Sequence, residues 1–372
     1  GDFNCNSVAF YKTHKTASST VALVLDRVGG VRNYRFIHNG QRAVFSLGRS
    51  KKSKSQPQVD FSTTHVNFPF IATIGYWNTV MNDPSLLTIV RDPVKHFISH
   101  FFYFSKEEKN ADNLKNYTSR HAFQANEMIA RTNSPSLMAR RLRDFVQSKL
   151  FNSTFFLIAE HLAEGLAALQ LHCGWSYRDM AFGHVHCAAC WDSKLASRSK
   201  QADPSSLEMA AGTYKAIHKK TWADAIVYKA ALKKWEDIQR RGGELLQSTG
   251  RELSRRNAVL DEHCRSIVQG AEQFREHPGC LWMVLHPKEF YALLGPDNRV
   301  RMNATFTPTN EHEGYPNGLI QAWEMMQGFN KMYEGLFPVQ GPVQTTARLF
   351  EGISMLRGEK LGTVTANKTY IA

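Results

Sequence analysis

The chain predicts an α/β fold, a central and mainly parallel sheet with helices on both faces, and three observations carry that prediction. Apolar runs at Val8 to Tyr11, Ser85 to Val90 and Thr154 to Ala159 have strand length and are too short for helices. Each is followed by a stretch of helical periodicity, at 18–28, 94–104 and 162–171, and strands alternating with helices at this spacing build parallel sheets. A hydrophobic content of 42%, with 11% aromatics, in 372 residues is enough for a real core in one large or two ordinary domains.

The first unit organises the rest. Val8 to Tyr11 leads through a polar turn, Lys12 to Ala17, into Ser18-Ser19-Thr20 and Val21 to Leu25, and then reaches Gly29-Gly30. Hydroxyls at a helix head predict capping of its free amides, and the glycine pair predicts a stop. A helix start fronted by Lys12, His14 and Lys15 suits a bound phosphate or sulfate. The plain alternative is a capped core helix with solvated lysines. A nucleotide-hydrolase P-loop reads GxxxxGK[ST], and no glycine lies between Asp2 and Gly29, which disfavours an ATPase or nucleotide kinase.

Further along, Tyr34 to Ile37 reads as a short strand, 42–58 as a basic loop, and Phe61 to Phe68 as strand-rich, with His65 near its end. The strand Ser85 to Val90 ends at Arg91-Asp92-Pro93, where an aspartate cap and a proline at the first helical position start a helix. That helix turns Phe97, Ile98, Phe101 and Phe102 inward and carries Ser99 eight residues past Arg91. Helical pattern resumes over 126–147, broken near Asn133 to Pro135, and again over 205–265 with Trp222, Tyr228 and Trp235 as core anchors. Beyond Gly279 short strands and turns mix without an assignable pattern. Ligands of parallel sheets sit at the carboxyl ends of strands. Lys15, His65 and Arg91 all follow strands and are therefore expected at one edge.

A net charge of +13 favours acidic partners: nucleic acid, a nucleotide donor or an anionic glycan. The run Arg49 to Lys54 reads as a solvated loop, with substrate contact as the alternative. No fixed repeat, no opening signal peptide and no uninterrupted apolar run near the ~18 residues of a membrane span is present. Six cysteines, Cys5, Cys173, Cys187, Cys190, Cys264 and Cys280, permit up to three disulfides. Cys264 and Cys280 can close a short loop. His172, Cys173, His184, His186, Cys187 and Cys190 have zinc-ligand chemistry in a spacing unlike the familiar fingers.

Lys12-Thr13-His14-Lys15-Thr16-Ala17-Ser18-Ser19-Thr20 resembles the 5′-phosphosulfate loop of Golgi carbohydrate sulfotransferases, in particular the galactose 3-O-sulfotransferase family. Thr88 to Val94 followed by Ser99 is similar to that family's 3′-phosphate loop, and His65 stands where its galactose and uronic-acid branches carry a catalytic histidine. Leu157 to His161 and Trp222 to Trp235 also look like family blocks. The likeness runs from about Val8 to Cys264; the tail from about Arg275 has no counterpart.

The resemblance implies a P-loop-like sulfotransferase fold in a single catalytic domain over 1–372: a donor-binding core at about 7–172, a helical acceptor-side part at about 173–275 and an irregular C-terminal extension at 276–372. It implies 3′-phosphoadenosine 5′-phosphosulfate (PAPS) as donor, PAP as product, and a carbohydrate or glycolipid acceptor rather than nucleic acid. By analogy with phosphoryl transfer, positioning and electrostatics do the work and no metal is required. A type II membrane protein of the Golgi lumen is implied, touching the membrane only through an N-terminal anchor preceding Gly1. The sequons at Asn116, Asn152, Asn303 and Asn367 fit that glycoprotein setting, where a disulfide such as Cys173 to Cys187 or Cys190 is favoured over zinc.

The roles follow from the chemistry of sulfuryl transfer. His65 is the expected general base, since neutral imidazole takes a proton near neutral pH. Lys15 is expected at the leaving phosphate, with Thr16, Ala17, Ser18, Ser19 and Thr20 around the phosphosulfate. Arg91 and Ser99 would hold the 3′-phosphate, and Lys12 and His14 would orient sulfate or acceptor. Against these stand a satisfied strand-end histidine and an arginine paired with Asp92 or a helix end. A uronyl 2-O-sulfotransferase is the near rival, and a basic polyanion-binding module without activity is the rival from another class. Oligomeric state is not legible.

Overall fold

The computed structural model describes residues 3–37, 59–63, 69–108, 110–118, 123–129, 132, 134–183, 211–267, 277–284, 299, 301, 305–306 and 320–338. His65, the basic loop 42–58, the cluster members His184, His186, Cys187 and Cys190, and the sequons at Asn303 and Asn367 lie outside the described residues.

Strand β1 (Val8–Tyr11) leads into helix α1 (Ser18–Val31), then β2 (Phe36–Ile37), β3 (Phe61–Ser62), α2 (Phe70–Val80) and β4 (Ser85–Val90). Next come α3 (Pro93–Phe104), α4 (Ala111–Asn116), α5 (Gln124–Ile129), α6 (Pro135–Gln147), α7 (Lys149–Ser153) and β5 (Phe155–Ile158). After a 3-10 turn at Ala159–His161 follow α8 (Leu162–Cys173), α9 (Tyr177–Met180), α10 (Ala211–Lys220), α11 (Trp222–Ile267), α12 (Pro278–Val284), a small pair β6 (Thr305–Phe306) and β7 (Ile320–Gln321), and α13 (Ala322–Leu336). The main sheet runs β2-β3-β1-β4-β5, and every pairing in it is parallel. β1 lies between β3 and β4, with Val8 beside Phe61 on one side and Ser85 on the other.

Strand side chains alternate between faces, and both faces of this sheet are dry. Val8, Phe10, Leu87, Ile89 and Leu157 pack under α1, α8 and the C-terminal helices. Ala9, Tyr11, Leu86, Val90, Phe156 and Ile158 pack on the other side under α2, α6 and the first half of α11. This burial is why these strands read as unbroken apolar runs rather than alternating ones. Each fully buried large side chain contributes roughly 1.5–3 kcal/mol, so β1, with all four residues buried, is a spine of the fold.

The long α11 serves both faces. Its first half gives Val227, Ala231 and Trp235 to one core, and its second half gives Leu253, Leu260 and Cys264 to the other. The change of side falls between Leu246 and Leu253, just past Gly243, whose φ of 53° breaks the helical path where other residues would be strained.

Three expectations are corrected. Gly29-Gly30 does not stop α1, which runs on to Val31. A Cβ at Gly29 would overlap the Phe36 ring, so this glycine is needed for helix–strand approach rather than for a turn. Cys173 pairs with Cys5 across 168 residues, not with Cys187 or Cys190, and ties the N-terminal segment to the end of α8. The Cys264–Cys280 bridge does form and joins α11 to α12. Finally, the stretch beyond Gly279 contributes α12 and α13, whose Leu281, Trp282, Met325 and Phe329 belong to the main core. Among the described residues no helix is long and apolar enough to cross a membrane.

Candidate active site

The chain leaves β1 through α1 toward β2 on one side of the sheet and leaves β4 through α3 to α7 toward β5 on the other. Connections that diverge in this way open a crevice at the carboxyl ends of the two strands, the usual ligand position in open parallel sheets. The residues at its lips are Lys12–Ala17 and Arg91–Asp92.

The Lys12–Ala17 turn is strained and held. Lys15 (φ 55°) and Ala17 (φ 64°) sit in the left-handed region without being glycine, at a cost of roughly 1 kcal/mol or more each. The hydroxyls that maintain it point inward. Thr13 donates to the Ile89 carbonyl at 2.6 Å and meets the Thr16 hydroxyl at 2.7 Å, while Ser18 donates to the Thr13 carbonyl. The expected hydroxyl cap is therefore absent: Ala17 is the cap residue and no side chain accepts from the first turn of α1. Left-handed residues at alternate positions before an uncapped helix start form a concavity of amides suited to an anion.

Two cations converge on this turn. The Lys15 ammonium lies 3.6 Å from the centre of the Tyr103 ring. Burial first, and the Arg91 charge second, pull its pKa down to about 8. Arg91 donates from Nη1 to the Lys15 carbonyl at 3.1 Å and stands 4.0 Å from the Glu160 carboxylate. Burial lowers its pKa, and Glu160 and Asp92 partly offset this. Glu160 itself accepts from the Asp92 amide and from the Tyr228 hydroxyl at 3.3 Å.

The α5 helix locks the site from behind. The Gln124 amide accepts from the Arg91 N–H and donates to the Arg91 carbonyl, both at 2.8 Å. Glu127 accepts the His14 N–H at 3.1 Å and pairs with the His14 imidazole Nδ1, and the Glu127 carbonyl accepts from the Tyr11 hydroxyl at 2.8 Å. On the far side of His14, its carbonyl lies 2.7 Å from Nε2 of His96. The start of α5 is in turn held by Asp224, which accepts from the Ala125 amide at 2.8 Å; burial pushes this carboxyl up to about 7. Lys12 is buried, and its charge acts on Asp26, a fully enclosed carboxyl that burial lifts to about 8 against the pull of the Thr63 hydroxyl and Lys12.

Lys15 and Arg91 are thus brought to one edge, with His14 and the Thr16–Thr20 segment beside them, while His65, the third residue expected there, lies outside the described residues. Ser99 lies half-buried in the second turn of α3, one helical turn before Tyr103. Thr63 is the last described residue before His65, and its hydroxyl bonds Asp26 of α1. Sequence reasoning missed Tyr103, Gln124, Glu127 and Asp224. Spacing held a trace of three of them: Ser99 and Tyr103 share a helix face at i and i+4, as Gln124 and Glu127 do at i and i+3. Of the residues with zinc-ligand chemistry, Cys173 is disulfide-bonded, as favoured over zinc, and His172 Nε2 lies 3.0 Å from the Phe3 carbonyl.

Comparison with known proteins finds one partial likeness. Galactosylceramide sulfotransferases of Bos taurus and Homo sapiens are 32% identical to this chain over 103 and 104 residues, 26% of this chain and 24% of theirs. The same enzyme of Mus musculus matches equally. This supports a family relationship to sulfotransferases. The match spans about a quarter of the length of those enzymes. No family model matches the chain, and no solved structure matches it.

Proposed function

We propose that the protein is a PAPS-dependent carbohydrate O-sulfotransferase whose acceptor is a sugar hydroxyl, foremost the 3-hydroxyl of a galactose in a glycolipid or glycan. The observation that carries this reading is the meeting of the strained Lys12–Ala17 turn with Arg91 in the crevice between β1 and β4. PAPS is anionic at two separated points, and the donor set matches both. The amides of the α1 start with Lys15 suit the 5′-phosphosulfate, and Arg91 with Ser99 suits the 3′-phosphate.

The acceptor oxygen attacks sulfur in line as the bond from sulfur to the 5′-phosphate oxygen breaks, giving a sulfate ester and PAP. The hydroxyl proton passes to His65. Lys15 neutralises the charge that grows on the departing phosphate, where a preorganised cation is worth most. Glu127 fixes His14 and Gln124 fixes Arg91, so both enter the reaction already positioned. The net charge of +13 leaves a uronyl 2-O acceptor as the second reading.

Calorimetric titration of PAP tests the donor site. The wild type and His65→Ala are expected to bind it, and Arg91→Ala to lose it. A wild type that ignores PAP would leave only the polyanion-binding module. Sulfate transfer from PAPS to galactosylceramide, measured beside transfer to a uronic-acid polysaccharide across a salt series, then separates the two acceptors, since only the polyanion's binding falls steeply with salt.

A further inference from the structure

A second concave region lies near the opposite end of α1. A cavity of about 300 Å³ opens there, walled by Trp282, Trp323 and Phe329, with Arg27, Arg178 and Asp179 as the charged residues of its lining. Arg27 lies nine residues along α1 from Ser18, about 13 Å at the helical rise, and the cavity shares no residue with the Lys12–Thr20 segment or Arg91.

Arg27 is the feature that asks for a ligand. Its residue is 2% exposed, its Nη2 donates to the Ala181 carbonyl, and its Nε and Nη1 have no hydrogen-bond partner. The nearby Asp179 and Asp26 carboxylates act on its charge but give these two nitrogens no hydrogen bond. Asp179 is taken by Arg32 at 3.0 Å and by the Ser176 amide at 2.8 Å. Asp26 bonds Thr63, and burial lifts its carboxyl against the pull of Thr63, Lys12 and Arg27. A buried guanidinium short of acceptors destabilises a fold unless something anionic reaches it. At the mouth, Trp323 is 49% exposed and Val31 is 47% exposed, so an apolar rim faces solvent beside an unspent cation.

We propose that this cavity binds a small amphipathic anion, a carboxylate, sulfate or sulfonate group on an aromatic or aliphatic body, with the anion on Arg27 and the body between Trp282, Trp323 and Phe329. The size fits a one- or two-ring ligand, at the lower end of ordinary small-molecule pockets. The site goes beyond the donor-site reading and does not depend on it.

The test uses 2-naphthalenesulfonate and its neutral counterpart 2-naphthalenemethanol, followed by calorimetry and tryptophan fluorescence. The sulfonate is expected to bind the wild type, quench tryptophan emission and raise the melting temperature, and the alcohol to bind about tenfold more weakly or worse, as loss of a charge-assisted hydrogen bond predicts. Arg27→Met should reduce sulfonate affinity to that of the alcohol while the free protein melts no lower than wild type, because an unpaired buried charge has been removed. Trp323→Ala, at a half-exposed position, should weaken both probes and fold normally. Saturating PAP should leave sulfonate binding unchanged.

Displacement of the sulfonate by PAP would put the probe at the donor edge and overturn the proposal. Equal affinity for the two probes, no binding of either, or wild-type sulfonate affinity in Arg27→Met would overturn it as well. Should Arg27→Met fail to fold, insensitivity of sulfonate binding to Trp323→Ala would serve the same purpose.

Discussion

The two ends of α1 solve opposite problems with the same helix. At its start the backbone is strained, the hydroxyls of Thr13, Thr16 and Ser18 are spent holding the turn, and no side chain caps the first amides. At its finish the helix is pressed so closely on β2 that Gly29 has no room for a Cβ beside Phe36. The start keeps polar capacity in reserve at a cost in backbone strain, whereas at the finish the face turned to β2 gains stability by close packing and only the face turned away, with Arg27, keeps unspent donors. Backbone strain is therefore what separates the two ends, even along 14 residues.

The contrast is most sharply broken at Arg91. Arg91→Ala is expected to weaken PAP binding about hundredfold, the loss of two charge-assisted hydrogen bonds, while thermal melting changes little because the Gln124 bonds are to the Arg91 backbone. If melting fell and PAP affinity held, Arg91 would be a structural ion-pair partner of Glu160.

Gly29→Val is expected to do the reverse. Overpacking against Phe36 should cost about 2 kcal/mol in urea unfolding, with PAP affinity in the folded fraction unchanged. A variant as stable as wild type would mean that β2 moves aside freely, and the close packing assigned to this end would be wrong.

Lys15 gives a pH signature confined to the binding end. Its folded-state pKa of about 8 lies below its ordinary value. Burial thus penalises the charged form, and stability linked to this group rises between pH 8 and its unfolded pKa of about 10.4, where the unfolded chain holds more protons. PAP needs the charged form, so affinity should be level below pH 8 and fall about tenfold by pH 9, with proton uptake on binding. Calorimetry at pH 8.5 in two buffers of different ionisation enthalpy reads that uptake, and Lys15→Arg should flatten the profile.

The smallest effect tests the strain itself. Ala17→Gly relieves a left-handed alanine and should stabilise the protein by about 1 kcal/mol in urea unfolding. A loss of stability would show that the turn at φ 64° is not strained.

Much of the binding edge was legible because it is local. The strand at Val8–Tyr11, the turn behind it, and the aspartate and proline that start α3 are each set within a few residues, and the structure keeps them; Asp92 accepts from the Lys95 amide at 2.9 Å as its position predicts. The hydroxyl cap failed for a physical reason. Ser18 and Thr16 had nearer acceptors in the Thr13 carbonyl, made available only by the left-handed turn. The roles of Gln124, Glu127 and Asp224 were not legible because each accepts from the backbone of a residue distant in sequence, Arg91, His14 and Ala125 in turn, 33, 113 and 99 positions away, in contacts that no motif records.

By itself the sequence determined the parallel α/β character, the strand-following positions of Lys15 and Arg91, and the resemblance of the Lys12–Thr20 loop to phosphosulfate loops. Periodicity, capping chemistry and short motifs depend on neighbours along the chain, and those are visible in a string of letters. Tertiary structure alone decided the partner of Cys5, the use of Gly29 as a packing contact, the recruitment of α12 and α13 into the core, and the burial that brings Lys15 down to about 8 and leaves Arg27 short of acceptors. These depend on which distant segments share a volume, and on the low dielectric that sharing creates.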